Sequence, residues 1–276
     1  MNQSAGILKA SAVIRSDVSD DSEDLLQRHN RYFCSVAADT PELLELAHAL
    51  RYQVYCLERK FENPEEHVDG LETDAFDAHA THGVLFHRPS NRAIGTVRMI
   101  MPDANTAGGL PIADLLRRSN IDLSEFLNIS QCVEISRFAI SKDFRRRQSD
   151  NMDNSSPKPI NRRELLREGN LACLSLIQFL LRQSVENGIF YWAAVMEPKL
   201  LRMLASMGIH FTSIGSLVMH HGLRQPCYCH VPTMLETVVR EHPDYWEVLT
   251  DGGRLGFDLV EQTSRQILPE PELAFQ

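Results

Sequence analysis

The sequence predicts an α/β (α+β) domain: a mixed central sheet flanked by helices. Three observations predict it. Strand-like and helix-like segments alternate along most of the chain. One long segment, 164–186, keeps apolar residues at helical spacing. Turn signals such as Pro89-Ser90-Asn91, Asn187-Gly188 and Gly208 stand between the periodic runs.

Residues 1–28 are polar and aperiodic and predict a flexible N-terminal arm. Tyr32 to Ala38 is a short strand. Asp39-Thr40-Pro41-Glu42 offers a cap candidate with proline in the first turn of an amphipathic helix, 41–58, on Leu43, Leu46, Leu50, Val54 and Leu57. An acidic loop follows, Phe61 to His79. His82–His87 and Arg92–Met101 then form a hairpin. A short helix at Pro111–Arg118 precedes a strand at Gln131–Ser141. The polar segment 143–161 predicts a disordered loop. Helix 164–186, strand 189–195, helix 198–207 and strands 209–220 and 226–231 complete the pattern. The expected domain therefore spans 29–235, with 236–276 holding C-terminal helices and a polar tail.

Composition narrows the functional classes. A net charge of −9 argues against a general nucleic-acid binder. No apolar run reaches the about 18–20 residues of a membrane span, so no transmembrane segment is expected. Met1 to Glu23 lacks the apolar core of a signal peptide, which predicts a cytoplasmic protein. The six cysteines are scattered through apolar stretches and read as reduced, buried residues. No Cys–His–Asn pattern supports a thiol nucleophile, so direct transfer is expected over a covalent enzyme intermediate. His220-His221 and Cys227-x-Cys229-His230 look metal-like. They lack the spacing of a structural zinc site, and strand alternation explains them as well; no metal is expected.

The chemistry-bearing residues come in four groups. Arg51 and Tyr55 share a helix face, with Phe61 just beyond. Glu72, Asp74 and Asp77 surround Phe76. Arg98 lies in Gly95-Thr96-Val97-Arg98. In Glu134-Ile135-Ser136-Arg137-Phe138, alternation puts Glu134, Ser136 and Phe138 on one face and Ile135 and Arg137 on the other. From the residues alone, Glu134 and Arg137 fit a sheet-edge ion pair as well as catalysis, and Tyr55 and Phe61 fit core positions. Arg51 fits a solvated helix face, a substrate contact or a clamp onto Asp77.

Taken in order and spacing over residues 30–235, these groups resemble the acyl-homoserine-lactone autoinducer synthases. They resemble still more the related long-chain N-acyl amino acid synthases, and most of all the exosortase-system-associated acyltransferases of bacteria. Tyr55 and Phe61 depart from that pattern, standing where autoinducer synthases usually carry phenylalanine and tryptophan. The resemblance implies a GNAT-like acyltransferase fold. It implies catalytic roles for Glu134, Arg137 and Arg98, and substrate-binding roles for Arg51, Tyr55, Phe61, Asp74, Asp77 and Ser136.

After the Glu134 strand, Ser141-Lys142-Asp143-Phe144 replaces the glycine-rich phosphate loop of enzymes that use acetyl-coenzyme A. That favours an acyl-phosphopantetheine thioester on acyl carrier protein over acyl-CoA as co-substrate, with no tightly bound cofactor. Such a carrier is acidic, and Arg145, Arg146, Arg147, Arg162 and Arg163 are its expected docking residues. The acceptor is a small-molecule amine. The function implied is N-acyl amino acid synthesis. Two alternatives stand beside it: an acyl-homoserine-lactone synthase using S-adenosylmethionine, and a non-catalytic module that binds an acyl carrier. Leu174, Ile177, Phe179, Leu180 and Met203 are candidate acyl-channel residues or plain core.

Overall fold

A computed structural model of the chain describes residues 24–102, 109–142, 144, 162–220 and 222–255, the side chains of 162–168 excepted. Eight strands form the sheet: β1 (Phe33–Ala37), β2 (Ala80–His87), β3 (Arg92–Ile100), β4 (Cys132–Ile140), β5 (Tyr191–Met196), β6 (Thr212–Ser213), β7 (Val218–Met219) and β8 (Leu223–His230). Their order is β1-β2-β3-β4-β5-β8-β6, with β7 paired to β8. Among the described strands only β4 and β5 run parallel, and the long connection a parallel pair requires includes a helix.

That helix, Arg162–Asn187, is α4; before it come α1 (Leu25–Tyr32), α2 (Pro41–Arg51) and α3 (Pro111–Arg117), and after it α5 (Pro198–Ala205), α6 (Val231–Glu241) and α7 (Pro243–Thr250). Helix α4 lies on one face of the sheet. Leu174, Leu176, Phe179 and Leu180 pack there with Leu85, Met99, Ile135 and Trp192. The Trp192 indole donates to Ser184 Oγ at 2.8 Å, which gives the buried N–H its partner. Helices α6 and α7 join this core through Val238, Val248 and Leu249, and Gln178 donates to the Val248 carbonyl at 2.6 Å. The boundary expected at 235 therefore falls inside α6, a helix packed on the main core. Among the described residues no helix is long and apolar enough to cross a membrane.

The opposite face is covered in two pieces. Ala47 and Leu50 of α2 sit on Val84, while Ile112 and Leu116 of α3 sit with Ile100, Cys132 and Ala193. The central strands β3 and β4 contribute Arg98 and Glu134 between those apolar patches.

Three local expectations change. Leu25–Tyr32, partly inside the expected arm, is a helix capped by Asp24, and buried His29 meets Ser175 Oγ at 2.6 Å. The helix expected to residue 58 is α-helical only to Arg51 and continues as a π-helix, Tyr52–Glu58. The strand expected over 209–220 is two short strands, because Gly215 between them takes φ +62°, outside strand geometry. Apart from Phe144, the expected loop 143–161 lies outside the described residues.

Candidate active site

The acidic loop is fixed first by its own backbone. Asp74 and Asp77 form a capping box on the turn Ala75–His79: Asp74 Oδ1 accepts the Phe76 N–H at 2.9 Å, and Asp77 Oδ2 accepts the Asp74 N–H at 2.8 Å. The Glu72 N–H donates to the His48 carbonyl at 3.2 Å, tying the loop to α2.

Three guanidinium groups converge on these carboxylates. Arg51 donates from Nε to Glu72 at 2.6 Å and from Nη1 to Asp77 at 2.7 Å. Arg98 donates from Nε to Ser136 Oγ at 2.9 Å, and from Nη1 to Asp74 and Asp77, both at 2.6 Å. Arg137 donates from Nε and Nη2 to Glu72 at 3.0 and 2.8 Å, and from Nη2 to Asp74 at 3.2 Å and Glu62 at 3.4 Å. Burial raises the carboxyl of Glu72, but Arg137 and Arg51 outweigh it and hold the group at about 2. The Asp77 carboxyl is likewise held well below its usual range, with Arg51 the strongest partner against burial.

One expectation about faces is corrected. Arg137 does not lie opposite Ser136. Its backbone takes φ +51°, and the β3–β4 register slips between Thr96 and Arg98. The extra residue on β4 makes a bulge, which turns the Arg137 side chain to the acidic cluster and returns Phe138 to the Ile135 core. Period-two alternation holds only up to such a bulge, and no residue type here announces it.

Glu134 stands apart from the paired carboxylates. It is 6% exposed and accepts the Ile112 N–H, at the start of α3, at 2.6 Å. Burial pushes its carboxyl up to about 7, against the opposing pull of that N–H and of Arg98. A carboxylate poised near neutrality beside strongly ionised neighbours has the acid–base character of a proton acceptor.

The sheet opens next to it. Strands β4 and β5 pair from Cys132↔Tyr191 to Ile135↔Ala194. Beyond that, β4 continues against β3 to Ile140, whereas β5 continues against β8 to Met196. Strands β4 and β5 thus part at Ser136.

The structure brings Arg51, Tyr55, Asp74, Asp77, Arg98, Ser136 and Arg137 to one place. Tyr55 lies under the Arg137 guanidinium, 5.2 Å from carbon to ring centre, and 6.4 Å from Phe61. Arg51 is 0% exposed, so the substrate contact expected of it gives way to clamping Glu72 and Asp77. Phe61 faces Arg224 and Arg59 at 5.2 and 6.0 Å, and both arginines pair with Glu197 at the end of β5. Leu174, Ile177, Phe179 and Leu180 are fully enclosed core, while Met203 is exposed. Arg145, Arg146 and Arg147 lie outside the described residues, as do the side chains of Arg162 and Arg163.

Sequence reasoning missed Glu62, His48, His82 and Glu197, which join through chain folding rather than motif spacing. His48, Asp77 and His82 offer atoms within 4.8 Å of one another, a metal-like grouping. Asp77 Oδ1, however, already accepts two guanidinium N–H groups, whose positive charge opposes a cation there. Cys227 and Cys229 are buried in the main core, and burial raises both thiols, to about 12 for Cys227 and further for Cys229. The thiolate a metal requires is disfavoured at both.

Residues 50–153, which contain Arg51, Glu62, Glu72, Asp74, Asp77, Arg98, Glu134 and Arg137, match the family described as "Acetyltransferase (GNAT) domain". That match places a GNAT acetyltransferase domain within residues 50–153. Among solved structures, the GNAT domain and its surroundings resemble TofI in a ternary complex with an inhibitor and MTA, at 14% identity and TM-score 0.52. That likeness covers 74% of this chain and 95% of that one. They also resemble BjaI, a CoA-dependent acyl-homoserine lactone synthase with SAM and isopentyl-CoA, at 16% identity and TM-score 0.51, over 84% and 99%. FeeM, an N-acyl amino acid synthase from uncultured soil microbes, matches at 17% identity and TM-score 0.48, over 76% and 96%. At these identities the likeness to TofI and BjaI establishes a shared fold. No curated protein matches the chain in sequence.

Proposed function

We propose that this GNAT domain moves a long-chain acyl group from an acyl carrier protein thioester to the amine of an amino acid, in the cytoplasm. The observation that carries the reading is Glu134: a buried carboxyl poised near neutrality at the point where β4 and β5 part. An α-amino group ordinarily titrates near pH ~8, so a base of modest strength suffices to free its lone pair.

In this reading the thioester carbonyl lies in the opening and Glu134 takes the ammonium proton, directly or through one water. The freed nitrogen attacks the carbonyl carbon. The resulting oxyanion is met by backbone N–H groups of β4 where it parts from β5. Collapse breaks the C–S bond, forms the amide and expels the phosphopantetheine thiolate, which takes up the proton released by the nitrogen. Asp74, the more exposed aspartate of the capping box, holds the acceptor's ammonium group beforehand. Arg98 and Arg137 keep the surrounding carboxylates ionised and in place. Arg145–Arg147, Arg162 and Arg163 dock the acidic carrier.

The acceptor class rests on the motif resemblance to N-acyl amino acid synthases. The test is incubation with acyl carrier protein charged with chains of several lengths and a mixture of amino acids, read by mass spectrometry. An N-acyl amino acid is the expected product. An acyl-homoserine lactone formed on adding S-adenosylmethionine overturns the acceptor assignment. Absence of any product, with carrier binding retained, favours the non-catalytic module.

A further inference from the structure

At the end of β4 a cluster of hydrogen-bond donors meets one of the chain's own carboxylates. Glu58, last residue of the π-helix, accepts the Lys142 N–H on both oxygens, at 3.1 and 3.0 Å. Its Oε1 also accepts the Ser141 hydroxyl at 3.3 Å and the Gln53 side-chain amide at 3.1 Å. Gln53 braces the group by donating to Ser141 Oγ at 3.0 Å as well. The Lys142 ammonium, which could otherwise meet an incoming anion, donates back to the Glu58 carbonyl at 2.8 Å. Backbone N–H, hydroxyl, amide and ammonium are the groups that bind phosphate oxygens.

The position matters because of what leads to it. The β4 edge that parts from β5 after Ile135 runs on from Ser136 to Ile140. A pantetheine arm is an extended chain with two amides, and it can add to such an edge as a strand does. With its thioester beside Glu134, its far end arrives at Ser141 and Lys142. Coenzyme A continues from there into a diphosphate and a further phosphomonoester. A carrier-borne arm ends in a single phosphodiester attached to its protein.

We infer that Glu58 is a donor-selecting residue: its carboxylate occupies the phosphate-binding position at the end of β4 and discriminates against coenzyme A thioesters. This rests on the carrier-dependent reading proposed above and gives it a specific cause. A diphosphate brought to Lys142 meets a carboxylate in place of free donors, so it loses those hydrogen bonds and gains a like-charge contact.

Two variants separate charge from shape. Glu58→Gln keeps an acceptor oxygen for the Lys142 N–H and removes the charge, while Glu58→Ala removes both. The measurements are coenzyme A binding by titration calorimetry and the ratio of kcat/KM for acyl-CoA to that for the same acyl group on carrier protein. Thermal melts check that each variant is folded. Both the affinity for coenzyme A and the ratio are expected to rise by roughly tenfold or more in Glu58→Gln, the scale of one like-charge contact at a partly exposed site. If the parent chain favours the carrier thioester but neither variant changes coenzyme A binding or the ratio, the assignment of Glu58 is wrong and the donor reading survives. If the parent chain already uses acyl-CoA as well as the carrier thioester, the donor reading itself fails, and the inference with it.

Discussion

The Arg137 guanidinium holds Glu72 in two hydrogen bonds, at 3.0 and 2.8 Å, because residue 137 takes a left-handed backbone conformation at a bulge. Left-handed backbone is unfavourable for a side chain such as arginine and persists only where surrounding contacts enforce it. Here the enforcing contacts are the ion pairs themselves and the Tyr55 ring. Glu72 is 1% exposed, so removing Arg137 leaves a buried carboxylate with Arg51 as its remaining guanidinium partner. Arg137→Ala is therefore expected to destabilise the domain by about 3 kcal/mol. Urea unfolding at neutral pH measures it, and a change below about 1 kcal/mol would show that the pair carries little of the loop's position.

Glu134 sets the expected pH dependence of activity. Its carboxyl is raised to about 7, so the form able to accept a proton grows as pH rises through that value. On the acid limb, kcat/KM for acyl transfer should climb with a midpoint near 7. Glu134→Gln should abolish that limb and lower the rate by about 10²–10⁴-fold, the usual worth of a positioned base. The same limb persisting in the variant would assign the titration to the substrate amine instead.

Much of this site was legible in the sequence, for a definable reason. Arg51, Asp74, Asp77 and Arg98 sit in regular elements or at a capped turn, where spacing fixes direction. What escaped was set by departures from regularity. The π-helix at Tyr52–Glu58 changes which residues follow Arg51 round the helix, and it delivers Glu58 to Lys142. The bulge reverses Arg137. His48 and His82, 34 positions apart in sequence, come together through the packing of α2 on β2. Neither a period of 3.6 nor one of 2 contains these events.

His82 makes stability acid-sensitive. It is 3% exposed, and burial lowers its ring from 6.5 to about 4, so the folded state keeps it neutral where the unfolded chain protonates. Between those values the unfolded chain binds more protons, and stability falls as pH drops. The shift corresponds to about 3 kcal/mol at full effect. His82→Met removes the titration and fills similar space. Relative to the parent chain, it should therefore gain about 3 kcal/mol in going from pH 7 to pH 4, whatever its constant offset. Denaturant midpoints at both pH values test this, and an unchanged difference between the two proteins refutes it.

Gly95 decides how closely β3 and β4 approach beside the bulge. A Cβ there would lie 2.8 Å from the Ala139 carbonyl oxygen, a backbone atom that cannot swing aside. Gly95→Ala must push β4 away from β3 just beyond Arg137, while no charged group is touched. The expected cost is about 1–3 kcal/mol of stability, as for other overpacked sites. The catalytic effect should be separable from it. Displacing β4 moves the edge where the acyl donor is proposed to lie, so kcat/KM for the donor should fall at temperatures where the variant remains folded. Gly83→Ala is the control: its Cβ would meet the Phe179 ring at 2.6 Å on the α4 face, away from the charge cluster. A comparable loss of stability with donor kinetics intact in Gly83→Ala, and impaired kinetics in Gly95→Ala, would tie the β4 edge to donor binding. Equal kinetic loss in both would attribute the effect to destabilisation alone.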